Sequence, residues 1–163
     1  MLRISRLDDA EAFLALRGDR AVQHLLMANP DAEPPSDVLG NAKAWITRRE
    51  AAGWFRVADE GDGALGFVQI AEIHRKNRYG WFGMALLPKA RGRGLGSRLL
   101  AASATAALTE LGLRKLLVQI RADNVPVVDL HVRQGWSIAG QLRAHYDDGT
   151  SFHDVMILEK ILQ

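Results

Sequence analysis

The stretch Leu86-Leu87-Pro88-Lys89-Ala90-Arg91-Gly92-Arg93-Gly94-Leu95-Gly96-Ser97-Arg98 constrains this chain more than any other. An apolar strand, Tyr79 to Leu87, is stopped by Pro88. A loop with glycine at 92, 94 and 96 follows and runs without a break into an amphipathic helix, Gly94 to Leu111. Glycine keeps Cβ atoms out of the way, so consecutive backbone N–H groups can crowd around one ligand. A helix start adds unsatisfied donors and the positive end of the helix dipole. Strand, glycine loop and helix N-terminus in that order make a site suited to a phosphate or diphosphate. Arg91, Arg93 and Arg98 add charge around it. The plainer alternative is a left-handed glycine loop that binds nothing. The loop has no Gly-Lys-Ser/Thr, so it is not a nucleotide P-loop. Counted from Gly92, the third glycine of a dinucleotide fingerprint falls on Ser97, and the surrounding elements are not a run of βαβ units.

The charge pattern has the same centre. The 37 residues from Ile73 to Thr109 contain no Asp or Glu and seven basic residues: Arg75, Lys76, Arg78, Lys89, Arg91, Arg93 and Arg98. The formal net charge is +2, so this +7 stretch leaves the rest of the chain at −5, 14 basic against 19 acidic residues. Such a block suits an anionic partner or is a solvated surface. A nucleic-acid partner is disfavoured, because the charges surround a glycine loop with no interleaved aromatic binding motif. At 48% hydrophobic and 25% charged, the composition excludes a disordered chain. The absence of cysteine excludes disulfides, thiolate metal sites and Cys nucleophiles. His24, His74, His131, His145 and His153 lack metal-ligand spacing, so no metal is expected. No apolar run approaches the ~20 residues that span a bilayer, and the charged start Met1 to Asp9 lacks a signal-peptide core. A cytoplasmic protein with no membrane partner is expected.

The 163 residues suit one domain, 1–163. Leu2 to Leu7 alternates as a strand, and Asp8 or Asp9 caps a helix through Leu16. Gly18 to Pro35 reads as irregular, broken by Pro30, Pro34 and Pro35. Ser36 caps a helix from Asp37 to Ala52 that ends at Gly53. Trp54 to Ala58 and Ala64 to Ile73 form a hairpin around Asp59-Glu60-Gly61-Asp62-Gly63. After the strand and helix already described come a strand from Lys115 to Arg121, a helix from Val125 to Arg133, and two strands, Trp136 to His145 and Ser151 to Ile161. This mixed order predicts an α+β fold, a largely antiparallel sheet with helices on its faces.

Arg91-Gly92-Arg93-Gly94-Leu95-Gly96 resembles the Arg/Gln-x-x-Gly-x-Gly/Ala motif of the GNAT superfamily of acetyl-CoA-dependent N-acetyltransferases. Gln119 to Asn124 and Leu130 to Trp136 are similar to the second half of that fold: a strand, an Asn, a helix, then Gly-Phe, here Gly135-Trp136. The tail, Gly140 to Leu158, resembles the amino-acid, antibiotic and ribosomal-protein branches, and Leu16-Arg17-Gly18-Asp19 followed by Ser36 to Gly53 resembles the polyamine and amino-sugar branches. The resemblance implies a central sheet with helices on both faces and acetyl-CoA as co-substrate. Backbone amides of Arg91, Gly92, Arg93, Gly94, Leu95, Gly96 and Ser97 would hold the CoA diphosphate. Met84, Ala85, Leu86 and Leu87 would line the pantetheine arm, and a backbone amide there would polarise the thioester carbonyl. Asn124 either contacts the cofactor or caps the helix at Val125-Pro126.

His131 stands where the family usually has a tyrosine that protonates the departing thiolate. It is then the acid, a substrate ligand or a bystander. Glu72 and His74, alternating onto the face of Val68 and Ile70, are either the base that frees the amine or exposed strand-end residues. His145 and His153 are weaker base candidates. Trp45, Trp54, Trp81 and Trp136 read as core, with Trp81 a second choice for the acceptor pocket. The expected reaction is direct acetyl transfer to a small-molecule primary amine, and the resemblance allows a homodimer. Its rivals are acetylation of a protein N-terminus or lysine, and a CoA-binding regulatory module without turnover.

Overall fold

Period-two alternation on the central strands decides the architecture, because neighbouring apolar residues must go to opposite faces of a sheet. The computed structural model describes residues 1–28 and 36–163. Its strands are β1 (Leu2–Arg3), β2 (Gly53–Asp59), β3 (Ala64–His74), β4 (Tyr79–Leu86), β5 (Lys115–Arg121), β6 (Ser137–Asp147) and β7 (Phe152–Ile161). Its α-helices are α1 (Asp9–Gly18), α2 (Arg20–Leu25), α3 (Val38–Ala52), α4 (Leu95–Thr109) and α5 (Val125–Arg133). All seven strands join one sheet in the order β1-β2-β3-β4-β5-β7-β6. Trp54, Val68, Ile70 and Phe82 pack on one face with Leu95, Leu99 and Leu100 of α4, and Val127, Val128 and Leu130 of α5 pack against that cluster. Phe55, Val57 and Phe67 face the other way, onto Phe13, Leu16, Val22 and Ile46 of α1, α2 and α3. The helices therefore cover both faces, and the expected α+β sheet is the one observed.

Every ladder is antiparallel except β4 with β5. Parallel neighbours need a long crossover, and α4 supplies it. The parallel pairing covers only Tyr79↔Lys115, Gly80↔Leu116 and Trp81↔Leu117.

Three departures from expectation have a clear local reason. The first strand ends at Arg3, not Leu7. The Arg6 N–H is taken by the Asp9 carboxylate at 2.7 Å, and Arg3 reaches both Asp9 (2.6 Å) and Asp59 (2.7 Å), so the chain turns into α1 instead of extending. The second is a helix inside the stretch expected to be irregular. Asp19 accepts from the Val22 N–H at 3.1 Å and starts α2, a helix too short for a periodic signal. The breakers Pro30, Pro34 and Pro35 lie outside the described residues. The third is the cap of α3, which is Asp37, accepting from Gly40 N–H at 2.8 Å, rather than Ser36.

Phe13 is fully buried and meets Trp45 and Phe67 edge-on, with ring centroids 6.0 and 5.7 Å away. Phe13→Ala is expected to cost about 3–5 kcal/mol. A denaturant titration checks this: the midpoint should fall with little change in slope.

Candidate functional site

β4 and β5 part after Trp81 and Leu117, and the backbone on the β5 side of β4 loses its strand partner there. Hydrogen bonds show which groups these are. The Leu87 N–H donates to the Leu65 carbonyl of β3 at 2.9 Å, while the Arg78 carbonyl accepts from Arg114 N–H at 2.7 Å on the β5 side. Backbone groups alternate along a strand, so those of Phe82, Met84 and Leu86 face the gap. The Met84 and Leu86 side chains join the α4/α5 cluster, whereas Ala85 and Leu87 join the α1–α3 cluster. Of the four residues expected to line an arm, Met84 and Leu86 thus present their backbone to the gap, and Ala85 and Leu87 serve β3 and the opposite core.

The glycine loop sits at the same end of β4. Pro88–Ala90 forms a 3-10 turn, and Gly92 and Gly94 then take φ of 70° and 73°, the left-handed region that Cβ-bearing residues avoid. Gly94 is the N-cap of α4 and has no side chain with which to cap it. Among the described residues, the amides of Gly92, Arg93, Gly94, Leu95, Gly96 and Ser97 donate to no acceptor in turns or caps. They are a run of open donors at the positive end of a 15-residue helix. A Cβ on Gly96 would lie 3.2 Å from Leu130 of α5 and 3.8 Å from Met84. That close approach fixes the helix start against both β4 and α5.

The basic block is not left uncompensated. Glu60, on the β2–β3 turn, reaches Arg98 at 2.7 Å and Arg93 at 3.8 Å. Arg91 donates from Nε to the Leu86 carbonyl at 3.1 Å. Glu60 was legible only as a turn residue, because its partners lie more than thirty positions downstream.

Asn124 precedes α5 and its carboxamide makes no capping hydrogen bond; only its backbone carbonyl receives Val127 and Val128 N–H. The side chain is left available at the mouth of β5. His131, on α5, is 2% exposed. Its Nδ1 lies 2.8 Å from the Val127 carbonyl, its ring packs against Phe82 and Trp136, and its Nε2 is buried without a partner. Burial pushes the imidazole below its ordinary range, and the Val127 carbonyl opposes that only in part.

Glu72 and His74 are not brought to this end. β3 bulges between Ala71 and His74, Glu72 takes a φ of 49°, and the expected alternation with Val68 and Ile70 breaks. Both are exposed. Val68 pairs with Met84, so Glu72 and His74 lie ~13 and ~20 Å further along the strand. His74 instead stacks on Tyr79 at 5.2 Å and accepts from Asn77 N–H.

The face opposite α5 carries a polar group that was not anticipated as a unit. Arg121, at the end of β5, is buried and pairs with Asp123 at 3.0 Å. Its guanidinium lies over the Tyr146 ring. Tyr146 Oη donates to the Ala28 carbonyl, so His24 donates to it from Nδ1 at 2.8 Å. His153 accepts from Arg121 and donates to Asp148 at 2.6 Å. His145 is exposed, Trp54 and Trp136 are buried, and Trp45 and Trp81 are half-buried. Among the described residues no helix is long and apolar enough to cross a membrane.

The folded chain holds His131 neutral, so it binds fewer protons than the unfolded chain between the native pKa and about 6.5. The His131 contribution to stability is therefore complete above pH 6.5 and declines on acidification, by up to about 1.4 kcal/mol per pH unit. Denaturant titrations at pH 7.5 and 5.5 should show a larger loss for the parent protein than for His131→Phe. Equal losses would contradict this.

The family model described as "Acetyltransferase (GNAT) domain" matches residues 1–137. No curated protein matches. Among solved structures, the chain is similar to the spermidine N-acetyltransferase of Vibrio cholerae in complex with CoA and spermine, at 20% identity, with 99% of this chain and 95% of that one covered and a TM-score of 0.86. A dodecameric structure of the same enzyme in an intermediate state gives 19% identity, 99% and 93% coverage and a TM-score of 0.81. At this identity the likeness is one of fold. The family match covers most of the chain: the protein belongs to the GNAT acetyltransferase family and is an acyl-CoA-dependent acetyltransferase.

Proposed function

We propose that the protein transfers the acetyl group of acetyl-CoA to a primary amine of a small molecule by direct attack. The observation that carries this reading is the convergence of two sets of open backbone groups at one end of β4. These are the N–H groups of Gly92 to Ser97 and, facing the gap, the N–H and carbonyl of Met84 and the N–H of Leu86, whose carbonyl accepts from Arg91. The first set suits a diphosphate, since it combines glycine-lined access with a helix N-terminus. The second suits an extended arm with its own amides, which can take the place of the missing strand as an added β-strand would. The side chains of Arg91, Arg93 and Arg98 add positive charge beside the diphosphate. The carboxamide of Asn124 stands free to hold the arm from the β5 side.

A gap-facing β4 amide, held rigid by the β3 ladder, is placed to donate to the thioester oxygen as negative charge develops there. The chain has no cysteine, so no thiol can hold the acetyl group and the amine attacks the thioester itself. Glu72 and His74 lie too far along β3 to deprotonate the amine directly. The wall formed by Arg121, Tyr146, His24 and His153 is on the face away from His131 and is where we place the acceptor. A small amine fits the similarity to spermidine N-acetyltransferases. A homodimer in solution belongs to the same reading.

Free thiol released from acetyl-CoA reports turnover directly. With a panel of amines that includes spermidine and amino acids, at least one is expected to release CoA. Tight CoA binding with no release from any amine would leave a CoA-binding module instead.

Glu60 competes with bound anion for Arg93 and Arg98. Glu60→Gln should tighten CoA binding roughly two- to fivefold at low salt, in line with a surface pair of about 0.2–1 kcal/mol. The gain should shrink as ionic strength rises. Calorimetric Kd values at two salt concentrations check both statements.

A further inference from the structure

Side chains alternate along β3, so Gln69 points to the α1–α3 face with Phe67, while Val68 and Ile70 point to α4. Gly83 of β4 stands directly opposite Gln69 in the ladder. A Cβ on Gly83 would lie 2.9 Å from Gln69 Nε2. The Gln69 carboxamide therefore extends over bare β4 backbone, one residue from Met84 and its gap-facing groups. This is the face of the sheet on which the acceptor is placed.

Arg49 of α3 orients that carboxamide. A guanidinium can only donate, and it donates to Gln69 Oε1 at 2.8 Å. The Gln69 NH2 group is thereby turned toward Gly83, where it has no hydrogen-bond partner among the described residues. Arg49 is half-buried and lies over the Trp45 ring at 5.4 Å, as does Arg17 of α1.

Among the described residues no carboxylate pairs with Arg49. Glu50, the next residue, accepts from Ser5 instead. Burial first, and then the like charges of Arg17 and Arg48, push the Arg49 guanidinium below its ordinary range. Arg121, on the same face, differs, because Asp123 neutralises it. The indole ring and the last turn of α3 favour a cation at position 49, but neither calls for a second set of donors beside it over β4. The Arg49–Gln69 pair offers donors only, together with a positive charge that no carboxylate offsets. That combination suits an anionic oxygen group and repels an ammonium.

We propose that Arg49 and Gln69 bind an anionic oxygen group of the acceptor, a carboxylate or a phosphate, so that the substrates are primary amines that also carry such a group. This rests on the acetyl-transfer reading above. The amine attacks the thioester beside Met84 while the anionic end of the same molecule is held over Gly83. Arg121 and its partners shape the acceptor side, and Arg49 supplies its charge.

Thiol release at saturating acetyl-CoA gives kcat and KM for matched acceptors. These are amino acids against their amides, glucosamine 6-phosphate against glucosamine, and spermidine as a polycation. The parent protein should favour the anionic member, and the pair that shows the preference tells carboxylate from phosphate. In Arg49→Gln the preference, read in kcat/KM, should fall roughly ten- to hundredfold and chiefly through KM, as for a lost charge-assisted hydrogen bond. Intrinsic differences between the two amines are the same for every protein, so the change in their ratio isolates residue 49. Gln69→Leu should lower the same ratio by a smaller factor, and Arg49→Lys should keep part of it. CoA affinity close to that of the parent shows that a variant is folded, since the glycine loop contains neither residue. A parent that prefers spermidine or the uncharged members, or a preference that survives both Arg49→Gln and Gln69→Leu, overturns the proposal and leaves acetyl transfer standing. A parent that releases no thiol with any amine overturns the acetyl-transfer reading as well.

Discussion

One parallel pair in an otherwise antiparallel sheet is what the rest of this molecule depends on. β4 and β5 share three residue pairs and then diverge. Inside a sheet, backbone groups that lose a strand partner are a liability. Here they border a gap whose floor is built by α4 and α5, the crossover helix and the short helix that follows it. The parallel pairing requires the crossover. The crossover in turn brings a helix N-terminus to the end of the strand it leaves. The strand gap and the open amides of the glycine loop are therefore two consequences of one topological choice.

Electrostatics refine that frame. The net charge of +2 conceals a cationic segment, and its cations are not equivalent. Arg98 and Arg93 are held by Glu60, and Arg91 by a carbonyl at the gap. Such surface pairs are weak and exchangeable. They keep the arginines near the loop without consuming the backbone donors, which no side chain caps because Gly94 occupies the N-cap. The helix dipole and the amides hold a fixed position, and the arginines supply adjustable charge around it.

The interior of the site works by the opposite rule. His131 is buried, and among the described residues it meets Phe82, Trp136 and one carbonyl, with no counter-charge. A single hydrogen bond then decides the tautomer, while burial sets the downward direction of the titration shift against it. The front face has a dense network in which Arg121, Asp123, Asp148, His153, Tyr146 and His24 partner one another. Its charges are spent internally, so it shapes the acceptor side more than it charges it.

The amino-acid sequence alone determined those features that depend on near neighbours. β5 and α5 were legible to the residue, because strict alternation and a Pro-containing first turn are local signals. The glycine loop was legible because positive φ and an uncapped helix start are properties of the residues that form them. Tertiary structure decided whatever turned on distant partners or on register. Arg6 and Asp9 cut the first strand short, a six-residue helix escaped periodicity, and a bulge at Glu72 undid an alternation that placed two base candidates. Glu60 met its arginines only across the sheet edge. The identity of His131 was visible from the start, but its proton position was not. That depends on one carbonyl a helical turn away and on the burial of the other nitrogen, and only packing fixes either.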